Sequence, residues 1–452
     1  PTSSRRQRQM CIRDRTAALA ASEAGESVLV AERDTQLCGS TALSSGLVPA
    51  AGTKAQAAQS ISDSEDVFVG DIMAKNKNRA DLDYVRAIVA QITNTIDWLA
   101  DSHGIPFHVL DDFLYPSHSH HRMHAVPEVT GQGLITRLEQ AVSATDTIIV
   151  TGARVTDLFL SEGGDVIGAR CQRPDGAIEA IAARRTILAC NGYGGNPDLV
   201  ARHIPEMKDA LYFGHPGNQG EAILWGEKIG AVPTHLSGYQ GHGSVAHPHG
   251  ILVTWALMME GGIQVNLEGR RFSNEHQGYS EQAVAVLAQP EQTAFNIFDG
   301  RLQQLGRKFE DFRNAEENGA VIVADSPAEL ATRIGIDSDA LEATLNEAGL
   351  LAKSGELDGF GRQFSADTLL RAPYCAVRVT GALFHTQGGL LVDDHARVKR
   401  ADGSVFDSLF ACGGAACGVS GPDVSGYLSG NGLLTALALG HLAGGCVGRK
   451  GR

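Results

Sequence analysis

The stretch TAALAASEAGESVLVAE, residues 16–32, decides the fold. Residues 16–24 are alanine-rich and helical, Gly25 stops the helix, and residues 27–31 form a short apolar strand that ends on the carboxylate of Glu32. A helix leading into such a strand is the second half of a βαβ unit. Its first half would be a strand followed by G-x-G-x-x-G, with the helix N-terminus receiving a pyrophosphate. No such glycine turn precedes Thr16. The fifteen residues before it, PTSSRRQRQMCIRDR, are basic, carry no apolar period and resemble translated adapter or vector sequence, so residues 1–15 are read as non-native.

Working outward, an amphipathic helix is predicted from Leu82, Val85, Ile88, Val89, Ile92, Ile96 and Leu99, and a second around Leu134, Ile135, Leu138 and Val142. From residue 147 to 190 the pattern turns to short strands broken by Gly163-Gly164 and Asp175-Gly176. The last of them opens into Asn191-Gly192-Tyr193-Gly194-Gly195-Asn196. A strand at residues 408–411, the loop Cys412-Gly413-Gly414 and a helix from about Gly430 close the chain, again aiming a helix N-terminus at a glycine-rich crevice.

Composition narrows the function. The chain has 452 residues, 43% of them apolar and 20% charged, and no apolar run of the roughly 18 to 20 residues that a membrane helix needs. A net charge of −14 offers no general attraction to nucleic acid or anionic lipid. Eight scattered cysteines without a C-x-x-C pair suggest a reduced, cytoplasmic setting. The 53 glycines, many in clusters beside apolar runs, point to backbone approaching a ligand.

Several residues have two readings at this stage. Glu32 stands where a carboxylate accepts from a nucleotide ribose, or is a solvated strand end. The run from Cys38 to Gly46, with Ser40, Thr41 and Ser44, lets backbone reach phosphate oxygens or a flat ring, although Gly/Ser loops are common. His118, His120, His121 and His124 lack a metal-ligand spacing and read as a solvated loop. Arg270 and Arg271 read as surface partners of Glu268 or Glu275, and Cys412 and Cys417 as buried free thiols.

The order of an Ala-rich helix, LVAER, GSTALSSG, TILACNGYGGN, EGRRFSNE, FHTQGG, LFACGGA and GYLSGNGLLTA resembles the flavoprotein family of fumarate reductases, succinate dehydrogenases and 3-ketosteroid dehydrogenases. The resemblance runs from Thr16 to the C-terminus. It implies an α/β chain: a Rossmann-like FAD-binding domain from residues 16–236 and 379–452, and an inserted α+β capping domain from residues 237–378. It implies that Glu32 holds the adenosine ribose, that Val155 meets the adenine, and that Ser40, Thr41, Ser44, Gly46, Asn191, Gly192, Gly413, Gly414, Gly430 and Asn431 cradle the rest of FAD. The family's covalent members attach FAD through a histidine in the loop matching residues 38–46. This loop has none, so non-covalent FAD is expected.

The resemblance also implies hydride transfer between flavin N5 and a C–C bond. The substrate is a small molecule and the electron donor or acceptor is unspecified. His242 in YQGHGS and His385 in FHTQGG match histidines of the soluble fumarate reductases, but the positions of the family's proton-donating and carboxylate-clamping arginines hold Tyr279 and Tyr427. Two neutral phenols do not balance a dicarboxylate. Tyrosines at both places resemble the 3-ketosteroid dehydrogenases, with Tyr279 as base and Tyr427 as electrophile, and a cation such as His242 or His276 would help to ionise Tyr279. The alternatives are structural tyrosines, a fumarate reductase-like reductase of an unsaturated carboxylate, and a flavin-poor inactive chain without the first βα turn.

Overall fold

The computed structural model describes residues 12–35 and 39–447. Most of the stretch read as non-native, residues 1–11, lies outside them. The first helix is Ile12–Glu23, so it begins four residues before the expected start, with Ile12, Arg13 and Arg15 buried. It lies along the last helix, Asn431–Val447, so the first and last described helices pack together. Small residues make that approach possible: a Cβ at Gly444 would stand 2.3 Å from the Ala17 carbonyl oxygen.

The strand Leu29–Ala31 pairs in parallel with Ile148–Val150, and Thr186–Leu188 pairs in parallel with the end of Val405–Ala411. Among the described residues no ladder joins these two ribbons, so the Rossmann-like sheet is present as two parallel pieces. Between them in sequence runs the expected antiparallel meander, Arg154–Leu160, Val166–Gln172 and Ile178–Ala182. The helix Leu82–His103 follows its apolar period: Val85, Ile88, Val89, Ile92, Ile96 and Leu99 are buried. The Asp81 side chain accepts from the Tyr84 N–H at its start, and Gly104 ends it at φ +63°. It packs on the last helix within the largest core.

The inserted cap is built on a seven-stranded sheet. Ile251–Leu252, Tyr239–Ala246, Tyr374–Thr386, Thr293–Asp299 and Ile263–Val265 follow one another, and Leu211–Tyr212 and Ile322–Ala324 also pair with the long strand Tyr374–Thr386. That strand crosses the boundary anticipated at residues 378/379 and carries His385 near its end. Its antiparallel partner sets Gln240 opposite His385 and His242 opposite Ala382, with ladder irregularities on both sides of His242 that turn the local chain. No helix among the described residues is long and apolar enough to cross a membrane.

Candidate functional site

Between the glycine loops and the cap sheet lies a cleft of about 1350 Å³ that is partly open to solvent. One wall comes from the loop Ser40–Leu47, from Asn191 and from Gly413, Gly414, Gly430, Gly432 and Leu433; the other comes from Leu252, Thr254, Trp255, Tyr279, Phe309 and Asp311. Eight of the expected cofactor residues line it: Ser40, Thr41, Ser44, Gly46, Asn191, Gly413, Gly414 and Gly430. Gly192 and Asn431 stand behind this wall. A Cβ at Gly414 would come 2.7 Å from the Gly192 nitrogen, and the Asn431 side chain, fully buried, donates to Ser420 Oγ at 3.0 Å. Glu32 and Val155 do not line this cleft: the Ala153 N–H donates to the Glu32 carbonyl, and Val155 lies two residues on, in the strand Arg154–Leu160, opposite Cys171. Glu32 accepts from the Asp34 N–H at 2.9 Å, and burial raises its carboxyl to about 7.

The four expected catalytic side chains converge. The His242 ring stacks on Tyr279 at 4.8 Å and on Phe384 at 5.1 Å, with Trp255 edge-on at 5.8 Å. Tyr427 lies 6.1 Å from Tyr279 and 5.6 Å from His385, centroid to centroid. The His385 ring covers the first turn of the last helix so closely that a Cβ at Gly432 would be 2.6 Å from it. Tyr279 and Tyr427 are only 7% and 5% exposed, so neither phenol is a surface group.

Burial sets the charges. Desolvation lowers His242 to about 3 and His385 to about 4, so both are neutral imidazoles at ordinary pH. The Ser244 N–H donates to His242 Nδ1 at 3.2 Å, which places the remaining ring proton on Nε2. His276 is likewise held to about 4 by burial and by Arg362. The expected histidine cation beside Tyr279 is therefore absent: both candidates are neutral because the pocket is too dry to charge them. Burial raises Tyr279 to about 12, against the opposing pull of the Ser429 and Tyr427 hydroxyls. Tyr427 is pushed much further up, by burial and then by Tyr279, while the N–H groups of Gly430 and Gly432 pull it back. Of the two phenols, Tyr279 ionises first.

Tyr279 is positioned by an ion cluster that was expected at the surface. Arg271 donates to Glu275 at 2.9 and 2.6 Å and pairs with Asp358, and Arg362 donates to the same Glu275 carboxylate at 2.8 Å. The Glu275 and Arg362 side chains are 1% and 2% exposed. Burial alone would raise Glu275, but Arg362 and Arg271 outweigh it and bring the carboxyl to about 2. Trp255 Nε1 donates to the Glu275 carbonyl, so the cluster holds both the turn before Tyr279 and the indole beside it.

The histidine loop also departs from expectation. His118 is 5% exposed and hydrogen-bonded at 3.0 Å to the Ser429 carbonyl, and His124 is fully buried on Thr53 Oγ1 at 2.7 Å; their neighbours His120 and His121 are half-buried. Among the described residues no group of three metal-ligating side chains assembles. Cys412 and Cys417 are buried and not joined in a disulfide, as expected. Trp255 and Asp311 stand in no motif, whereas Phe384 opens FHTQGG and Ser429 lies within GYLSGNGLLTA, so those two runs were the available signal.

Comparison with known proteins follows this geometry. The profile of the FAD binding domain family matches residues 15–433. The chain is 28% identical over 432 residues to a probable fumarate reductase of Shewanella frigidimarina, covering 95% of this chain and 72% of that protein. It is 27% identical over 356 residues to the 3-oxosteroid 1-dehydrogenase of Mycobacterium tuberculosis, covering 69% and 62%. The structure of an open flavocytochrome c3 fumarate reductase superposes with a TM-score of 0.81 at 26% identity, over 97% of this chain and 77% of that one.

Proposed function

We propose, from the premise that the chain belongs to the FAD binding domain family, that it is an FAD-dependent oxidoreductase acting on a CH–CH bond next to a carbonyl. The cofactor is FAD. The glycine-loop wall fits it: Gly414 has no room for a side chain, Ser40 and Ser44 supply hydroxyls, and Arg13, whose Nε donates to the Ala189 carbonyl at 2.7 Å, brings a positive charge to that wall. When bound, the flavin accepts or returns a hydride at one carbon of the substrate.

The residues of the chain then handle the carbonyl and the proton. Tyr427, the phenol that stays neutral, donates to the substrate carbonyl, backed by the N–H groups of the last helix. This draws charge away from the neighbouring carbon, and Tyr279, the phenol that ionises first, exchanges the proton there. His242 Nε2–H and the His385 ring bound the substrate. The observation that carries the reading is the pair of phenols meeting beside the start of the last helix, with no cation on the cap wall among the described residues.

Reduction of an unsaturated carboxylate is the second reading, favoured by the likeness to the Shewanella fumarate reductase and by the two histidines. Both histidines are neutral and so bring no charge to a carboxylate. A screen of dicarboxylates, enones and 3-ketosteroids, or their saturated counterparts, by anaerobic changes in flavin absorption separates the readings. Turnover of enones or ketosteroids supports the first; turnover of dicarboxylates alone rejects it.

A further inference from the structure

We infer that Asp311 determines specificity: from the cap wall its carboxylate receives a hydrogen-bond donor of the substrate, a hydroxyl or ammonium remote from the reacting carbonyl, and turns away substrates carrying a carboxylate there. This rests on the carbonyl reading above and names its substrate class more closely.

Among the described residues that line the cleft, only Arg13 and Asp311 carry formal charge when the histidines are neutral. Arg13 belongs to the glycine-loop wall, where its side chain abuts Gly413 and its Nε is committed to Ala189. Asp311 belongs to the cap. It lies in the first turn of the helix Glu310–Glu317, which packs on the strand Ile251–Leu252, and Leu252 lines the same cleft. The preceding Phe309 meets Phe113 at 6.0 Å, Phe113 meets Tyr115 at 4.7 Å, and Tyr115 shares an apolar cluster with Tyr279 and Tyr427. An apolar path thus runs from the phenols to this one acid.

The Asp311 carboxylate engages no hydrogen bond or ion pair among the described residues, although burial and Glu310 raise it to about 6. Asp311 is half-buried and lines the cleft, so its unpartnered carboxylate is open to a bound ligand. A wall whose described residues offer one unmatched acid and no cation favours a neutral or cationic substrate end over an anionic one.

The test uses the FAD-loaded protein and three cyclohexenones that carry a hydroxymethyl, an aminomethyl or a carboxyl group on the ring carbon farthest from the carbonyl. Binding is read from the shift in flavin absorption. The protein should bind the first two on the order of tenfold more tightly than the third, the usual worth of a hydrogen bond to a charged acceptor. Asp311→Asn, which keeps the shape, should bring the aminomethyl and carboxyl compounds within about twofold of each other on the same scale, and Asp311→Lys should reverse their order. An unchanged order in both variants, or equal binding of all three by the unaltered protein, overturns the inference. The order needs no turnover and must persist in Tyr279→Phe, so failure of the base assignment and failure of the Asp311 assignment give different results.

Discussion

Replacing Tyr279 with Phe removes one oxygen and little else. The ring keeps its stack on His242 at 4.8 Å and its contact with Trp255 at 6.3 Å, so the fold and the bound flavin should survive. With the phenol held at about 12, roughly one molecule in 10⁵ carries the phenolate at pH 7. Ionising it there costs about 7 kcal/mol, at about 1.4 kcal/mol per pH unit. A typical enzymatic barrier, for about ten turnovers per second, is roughly 16 kcal/mol, so this step is affordable and still dominates the pH response. The rate of proton exchange at the carbon next to the carbonyl should therefore rise close to tenfold per unit from pH 6 to 9. Loss of the base should lower it by on the order of 10² to 10⁴ and flatten the profile. Anaerobic stopped-flow of flavin absorption, with an enone or its saturated ketone, measures both. A Phe variant within threefold of the parent, or a parent rate independent of pH over that range, refutes the reasoning.

Three further outcomes are expected. Glu275→Ala leaves Arg271 and Arg362 buried beside each other and should destabilise the fold by about 3 to 5 kcal/mol, read from denaturant melts; a loss below about 1 kcal/mol would mean that water or Asp358 compensates. His118, His124, His242, His276, His385 and His441 are all held to about 3 or 4 by burial. Their folded values lie below the unfolded value near 6.5, so their stabilising effect is complete above about 6.5 and lost as pH falls toward 4. Each contributes about 1 kcal/mol per pH unit in that window, which together should unfold the protein near pH 5; a fold intact at pH 4 by circular dichroism contradicts the burial of these rings. Acid denaturation followed by gel filtration should free all of the yellow colour from the chain, since the loop Gly39–Gly46 offers no histidine for covalent attachment; colour that travels with the polypeptide would show a bond elsewhere.

The order of the glycine loops, the helix–strand unit ending at Glu32, the buried face of Leu82–His103 and the two tyrosines were legible in the chain itself. Each is written in local spacing: a helical period, a strand beside a glycine turn, a residue type in a recognisable run. Two parallel ribbons in place of one joined sheet could not be read that way, nor could the start of the first helix at Ile12, because both depend on what packs across the chain. Arg271 and Glu275 are four residues apart and look like a surface pair; Arg362 and Asp358, nearly ninety positions away, turn them into a buried cluster. Phe384 and Ser429 stand in the quoted runs FHTQGG and GYLSGNGLLTA, but Trp255 and Asp311 carry no motif and reach the site only through the pairing of Tyr239–Ala246 with Tyr374–Thr386 and the packing of the cap. The titration of the site was decided at the same level. Burial, which no spacing records, makes its histidines neutral and raises both phenols, and so sets which groups can carry charge there.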